Sequence, residues 1–127
     1  MSDPEERPFG AIFWFEGLDL VVTSSVESAE GYIEPFDIDV GEIYDERGRR
    51  LKARVLGEGW PKRIRIAIAD AEPHIPALID RVSEFMAWKR YRAPETGDPT
   101  EWLREAASIL TIDRSGRHWW RRRRPSL

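Results

Sequence analysis

The hydrophobic period of this chain changes along its length, and that change constrains the fold more than any other feature. Leu51, Ala53 and Val55 alternate with Lys52 and Arg54, and Ile64-Arg65-Ile66-Ala67-Ile68 repeats the pattern. A period of two is that of a strand with one face in the core and the other in water. From Ile75 onward the step becomes three and four, through Leu78, Ile79, Val82, Phe85 and Met86, which is the stripe of an amphipathic helix. Strands first and helices later describe an α+β domain, an antiparallel sheet covered on one face by helices. The expected architecture is a mainly antiparallel sheet of about five or six strands with one short and two longer helices packed on it.

Local signals place the elements. Ala11-Ile12-Phe13-Trp14-Phe15 and Leu18-Asp19-Leu20-Val21-Val22-Thr23 flank Glu16-Gly17 and read as a hairpin. Ser24-Ser25-Val26-Glu27 reads as a capping box opening a short helix that turns Val26, Ala29, Tyr32 and Ile33 inward and ends by Pro35. A second hairpin is expected from Glu42–Asp45 and Leu51–Leu56 around Gly48, and Ile64–Ile68 is the fifth strand. The long helix should start near Pro76, with Lys89, Arg90 and Arg92 in its last turn. Asp98-Pro99-Thr100-Glu101 offers an N-cap, a proline at the first helical position and an early glutamate. The helix it opens should bury Trp102, Leu103, Ala106, Ala107 and Leu110, and Thr111-Ile112-Asp113 should add a short extended segment.

With 127 residues and no convincing linker or repeat, residues 1–127 read as a single domain, residues 114–127 forming a basic Arg/Trp-rich C-terminal segment. No apolar run approaches the about eighteen residues of a membrane span. The acidic start Met1-Ser2-Asp3-Pro4-Glu5-Glu6 is unlike a secretory leader, so the expected location is the cytoplasm. The absence of cysteine excludes disulfides, thiolate metal sites and a thiol nucleophile.

The net charge of −3 hides a separation. Residues 1–46 hold thirteen acids and one base, Arg7, whereas residues 47–127 hold nineteen bases and ten acids. Such an imbalance between halves commonly marks an interaction surface, although the halves can also neutralise one another across the fold.

No motif announces catalysis, and no catalytic residue is assigned. His74 and His118 are far apart, with no carboxylate at ligand-like spacing beside either, so no metal site is expected. Asp37-Ile38-Asp39-Val40-Gly41-Glu42 fails as a calcium loop, because the fifth position is Gly41 and the twelfth is Gly48, against a glycine at six and a glutamate at twelve. Gly57-Glu58-Gly59 lacks the remainder of a phosphate-binding motif and reads as a turn. No cofactor is implied. Trp60, in that glycine loop, is expected to be exposed.

The strings Phe15-Glu16-Gly17-Leu18-Asp19-Leu20, Ser25-Val26-Glu27-Ser28-Ala29-Glu30-Gly31-Tyr32-Ile33-Glu34, Asp37-Ile38-Asp39-Val40-Gly41-Glu42, Tyr44-Asp45 and Gly48-Arg49-Arg50-Leu51 resemble small, mostly uncharacterised bacterial proteins of toxin-immunity type. The resemblance covers residues 15–55 and implies a small, non-catalytic α+β protein that binds another protein; it brings no catalytic residues.

The expected function is therefore a protein-binding module, an immunity- or antitoxin-like inhibitor whose acidic N-terminal half masks a basic partner surface such as a toxin's active site. The expected contacts are Glu34, Asp37, Asp39, Glu42, Asp45 and Glu46, with Tyr44 as aromatic anchor. The alternative is an accessory protein binding nucleic acid or an anionic surface through Arg117, Trp119, Trp120, Arg121, Arg122, Arg123 and Arg124, since arginines neutralise phosphates and tryptophans stack on bases.

Overall fold

The computed structural model describes residues 6–32, 41–57 and 63–111. It contains β1 (Ile12–Glu16), β2 (Asp19–Thr23), α1 (Val26–Tyr32), β3 (Glu42–Asp45), β4 (Arg50–Leu56), β5 (Arg63–Asp70), α2 (Ile75–Trp88) and α3 (Pro99–Leu110). The strands form one antiparallel sheet in the order β2-β1-β3-β4-β5. The fold is α+β, as the periodicities require.

The helices differ from expectation in covering both faces. Phe13, Phe15, Leu20, Val22 and Tyr44 pack beneath Leu78, Val82, Phe85 and Met86 of α2 and Trp102, Leu103, Ala106 and Leu110 of α3. On the opposite face Ile12, Trp14, Val21, Ile43, Leu51, Ala53, Ile64 and Ile66 form a second core with Val26 and Ala29 of α1. β1 therefore lies between two cores, which explains why Ala11–Phe15 is an unbroken apolar run while β4 alternates. Trp14 meets Tyr32 of α1 edge-on at 6.1 Å between ring centroids, and Phe15 meets Tyr44 in the same way at 6.0 Å.

The β1–β2 hairpin turns in two residues, Gly17 and Leu18, with Glu16 paired to Asp19. Gly17 has φ 62°, the sign that the first central position of a type II′ turn needs, and this turn twists the strands together correctly. Gly48, φ 80°, closes the β3–β4 turn by donating to the Asp45 carbonyl at 2.9 Å, and its own carbonyl accepts from His74 N at 2.8 Å. A side chain there would strike the backbone of His74 and Ile75, so Gly48 lets the turn seat against the start of α2.

Helix ends partly follow the sequence. Asp98 caps α3 by accepting from Thr100 N at 3.1 Å, with Pro99 at the first position. For α1 the cap is one residue later than the capping box placed it: Ser28 N donates to Ser25 Oγ at 3.1 Å. Lys89, Arg90 and Arg92 lie beyond α2 rather than in its last turn. Arg90 takes φ 62°, donates to the Ala87 carbonyl, and lets Tyr91 N reach the Met86 carbonyl at 2.8 Å. This is a Schellman closure with an arginine where glycine is usual. Beyond α3, Thr111 forms a single parallel bridge with Val22, while Ile112 and Asp113 lie outside the described residues. No described helix is long and apolar enough to cross a membrane.

Candidate functional site

Of the seven residues expected to contact a partner, Glu34, Asp37 and Asp39 lie outside the described residues. The other four are placed, and three of them turn inward. Asp45 is fully buried: Oδ1 accepts from Arg47 N and Arg49 N, both at 3.0 Å, and Oδ2 accepts from Phe9 N at 3.0 Å and Arg49 Nε at 3.0 Å. Four donors from its own chain occupy the carboxylate, so Asp45 organises the β3–β4 turn instead of meeting a partner. Arg49, itself buried, lies between Asp45 and Glu6, with Nη1 donating to Glu6 Oε2 at 2.7 Å. Burial pulls the Arg49 pKa down, but the hydrogen bonds to Glu6 and Asp45 outweigh it and the net shift is upward. The same bond from Arg49 holds the Glu6 carboxyl below its ordinary value.

Glu46 accepts from Ala11 N at 3.0 Å and keeps only a tenth of its side chain exposed. Tyr44 is in the core beneath the helices, with its hydroxyl donating to Glu42 at 3.3 Å. It is a packing residue and not the aromatic anchor. Glu42 alone keeps substantial exposure, and it is ion-paired to Arg81 of α2. The N-terminal acids in this region thus tie strands together; sequence spacing could not separate them from surface acids because β3 places alternate residues on both covered faces.

The nucleic-acid alternative names Arg117, Trp119, Trp120 and Arg121 to Arg124, all outside the described residues, as is Trp60. His74 has a carboxylate after all: Asp70, four residues back, lies 3.1 Å from His74 Nε2. Asp70 also accepts from Glu72 N at 3.0 Å, and that backbone bond, followed by the His74 contact, holds its carboxyl below the ordinary range. The pair ties the end of β5 to the start of α2. Among the described residues no group of three histidines, cysteines or carboxylates is placed to hold a metal.

A different surface has the features of a contact site. Leu18, at the second central position of the hairpin turn, is 74% exposed, and Trp88, the last residue of α2, is 54% exposed. With Phe15, Gly17, Arg81, Glu84 and Phe85 they line an open cavity of about 300 Å³. Glu16 and Asp19 flank the turn and Glu84 stands on the wall, all three exposed. Arg81 lies over the Phe15 ring at 4.1 Å while paired to Glu42, and Lys89 Nζ lies over Trp88 at 4.2 Å. The arrangement is an apolar depression in a mixed rim richer in carboxylates than in cations. Part of the signal was present in the sequence: Leu18 directly follows the turn glycine, where a side chain has little core to enter, and Trp88 sits at the flank of the α2 stripe.

No family model, curated protein or solved structure matches the chain.

Proposed function

We propose that the chain is a non-catalytic, cytoplasmic protein-binding module, an immunity- or antitoxin-like inhibitor whose acidic N-terminal half covers a basic surface of its partner. The observation that carries this reading is the cavity between the β1–β2 turn and the end of α2, where Leu18 and Trp88 stay exposed beside Glu16, Asp19 and Glu84. Large apolar side chains in a concave site within a charged rim are what a protein hot spot requires. The occupant is an apolar side chain of a basic protein: burial of that side chain against Trp88 supplies affinity, and the carboxylates steer the encounter. Glu16, Leu18 and Asp19 belong to the segment whose sequence resembles immunity-type proteins.

The test is a tagged pull-down of the full chain from its native cell at moderate salt, compared with a Leu18→Lys/Trp88→Ala variant. Both side chains are largely exposed, so the fold should survive, as circular dichroism would check. A basic protein recovered in equal amount with the unaltered chain and lost with the variant is the expected result. Equal recovery with both chains would remove this surface. A partner lost only when Asp37 and Asp39 are reversed to lysine would instead place the contact on the acidic segment before β3.

A further inference from the structure

The half of the sheet built from β4 and β5 has one face without a helix. Leu51, Ala53, Ile64 and Ile66 point into the α1 core, so Lys52, Arg54, Arg63 and Arg65 share the opposite face, where α2 and α3 cover only the β1, β2 and β3 side. Lys52, Arg54 and Arg63 are exposed, as is Arg50 at the near end of β4. Arg54 pairs directly with Arg65 across the two strands, and Arg63 follows two residues before Arg65. Like charges directly opposite in a sheet repel. Cations two residues apart on a strand are about 6.7 Å apart, and neighbouring strands about 4.8 Å, so each cation lies within about one Debye length of its nearest neighbour at physiological salt and their fields overlap.

We propose that this face of the β4–β5 ribbon binds the phosphate backbone of a nucleic acid. Charge complementarity selects a polyanion, and three observations select phosphodiesters among polyanions. Four of the five cations are arginines, whose planar fork matches phosphate oxygens in pairs. They stand in two short rows on neighbouring strands of a two-stranded ribbon, a shape that a major groove admits and that can follow a sugar–phosphate backbone. The described face also carries no aromatic platform for bases, so binding is through phosphates and independent of sequence. The site is distinct from the C-terminal Arg/Trp segment, and it does not depend on the protein-binding cavity at the β1–β2 turn.

The experiment titrates the full chain into a fluorescein-labelled 20-nucleotide single strand and the matching duplex, following anisotropy across a range of NaCl concentrations. The comparison is a Lys52→Gln/Arg54→Gln/Arg63→Gln variant, and a second variant with Arg121 to Arg124 changed to glutamine controls for the terminal segment. The expected result is salt-sensitive binding by the unaltered chain, weakened about tenfold or more in the ribbon variant, with the log K against log salt slope shallower by about two units. The terminal-segment variant should retain the ribbon-dependent part. Tighter binding of either DNA form supports the phosphate reading and identifies the form. Indistinguishable titrations of the ribbon variant and the unaltered chain would overturn the proposal, as would equal binding of a 20-residue polyglutamate. Because the triple change could disturb the strands, amide shifts of the unaltered protein on adding DNA provide a second readout. Shifts confined to β4 and β5 support the proposal, and shifts elsewhere only refute it.

Discussion

At the scale of single residues, the described acids of the N-terminal half divide into two kinds that composition cannot distinguish. Asp45 and Glu46 are internal acceptors, closing the β3–β4 turn and bonding the backbone of Phe9 and Ala11, whereas Glu16 and Asp19 are exposed beside the hairpin turn. Asp45 illustrates the energetic consequence. Removing its carboxylate would leave Arg49 buried with half of its pairing gone and three backbone amides without their acceptor. Asp45→Ala should therefore destabilise the fold by about 3–5 kcal/mol, read as a lower urea midpoint. A loss below about 1 kcal/mol would mean that water can replace the carboxylate, as it does at surface ion pairs. The sequence motif Asp-Glu-Arg-Gly-Arg announced the turn but not this role, because an acid beside a glycine turn is usually solvated and only Phe9, arriving from outside the turn, together with the folded-back side chain of Arg49 encloses the carboxylate.

At the scale of elements, the free edge of β5 shows how the sheet ends. An edge strand offers unpaired amides and carbonyls to any passing strand. Here Ile66 N donates to Glu30 Oε2 at 2.7 Å, and the Ile66 carbonyl accepts from Arg7 Nη1 at 3.0 Å, while Arg7 and Glu30 pair with each other at 2.9 Å. An ion pair thus takes the place of one residue of a neighbouring strand. Glu30→Ala should cost about 1.5–3 kcal/mol, the range for a hydrogen bond to a charged group, and should promote self-association measurable by sedimentation velocity. Glu30→Gln keeps an acceptor for Ile66 N and should lose less. If Glu30→Ala stays monomeric with unchanged stability, the pair is ornamental and the edge is protected by something else. Element identity was legible from the sequence: five strands and three helices form in the segments that the periods marked, with the ends of α1 and α2 shifted, and all five apolar residues expected on α3 are buried. The use of both sheet faces was not legible, since the short helix after β2 gave no sign of which face it would cross.

At the scale of the whole molecule, the sheet is unevenly supported. β1 and β2 lie between two cores, while β4 and β5 are packed on one face and carry their cations on the other. Among the described residues, several N-terminal acids are consumed inside the fold while Lys52, Arg54 and Arg63 of the ribbon stay exposed. Regional stability should follow this geometry, since local openings start where apolar burial is least. Amide hydrogen exchange should be slowest in β1, α2 and α3 and faster in β4 and β5. Repulsion among Lys52, Arg54, Arg63 and Arg65 adds to that difference and is screened as the Debye length falls from about 10 Å at 0.1 M salt to about 3 Å at 1 M. The half-buried Arg7–Glu30 pair is screened less. Raising NaCl over that range should therefore slow exchange in β4 and β5 relative to β1 and β2. An unchanged ratio would mean that acids of the same chain already neutralise the ribbon, and the charge separation in the sequence would then be an internal balance and not a binding surface.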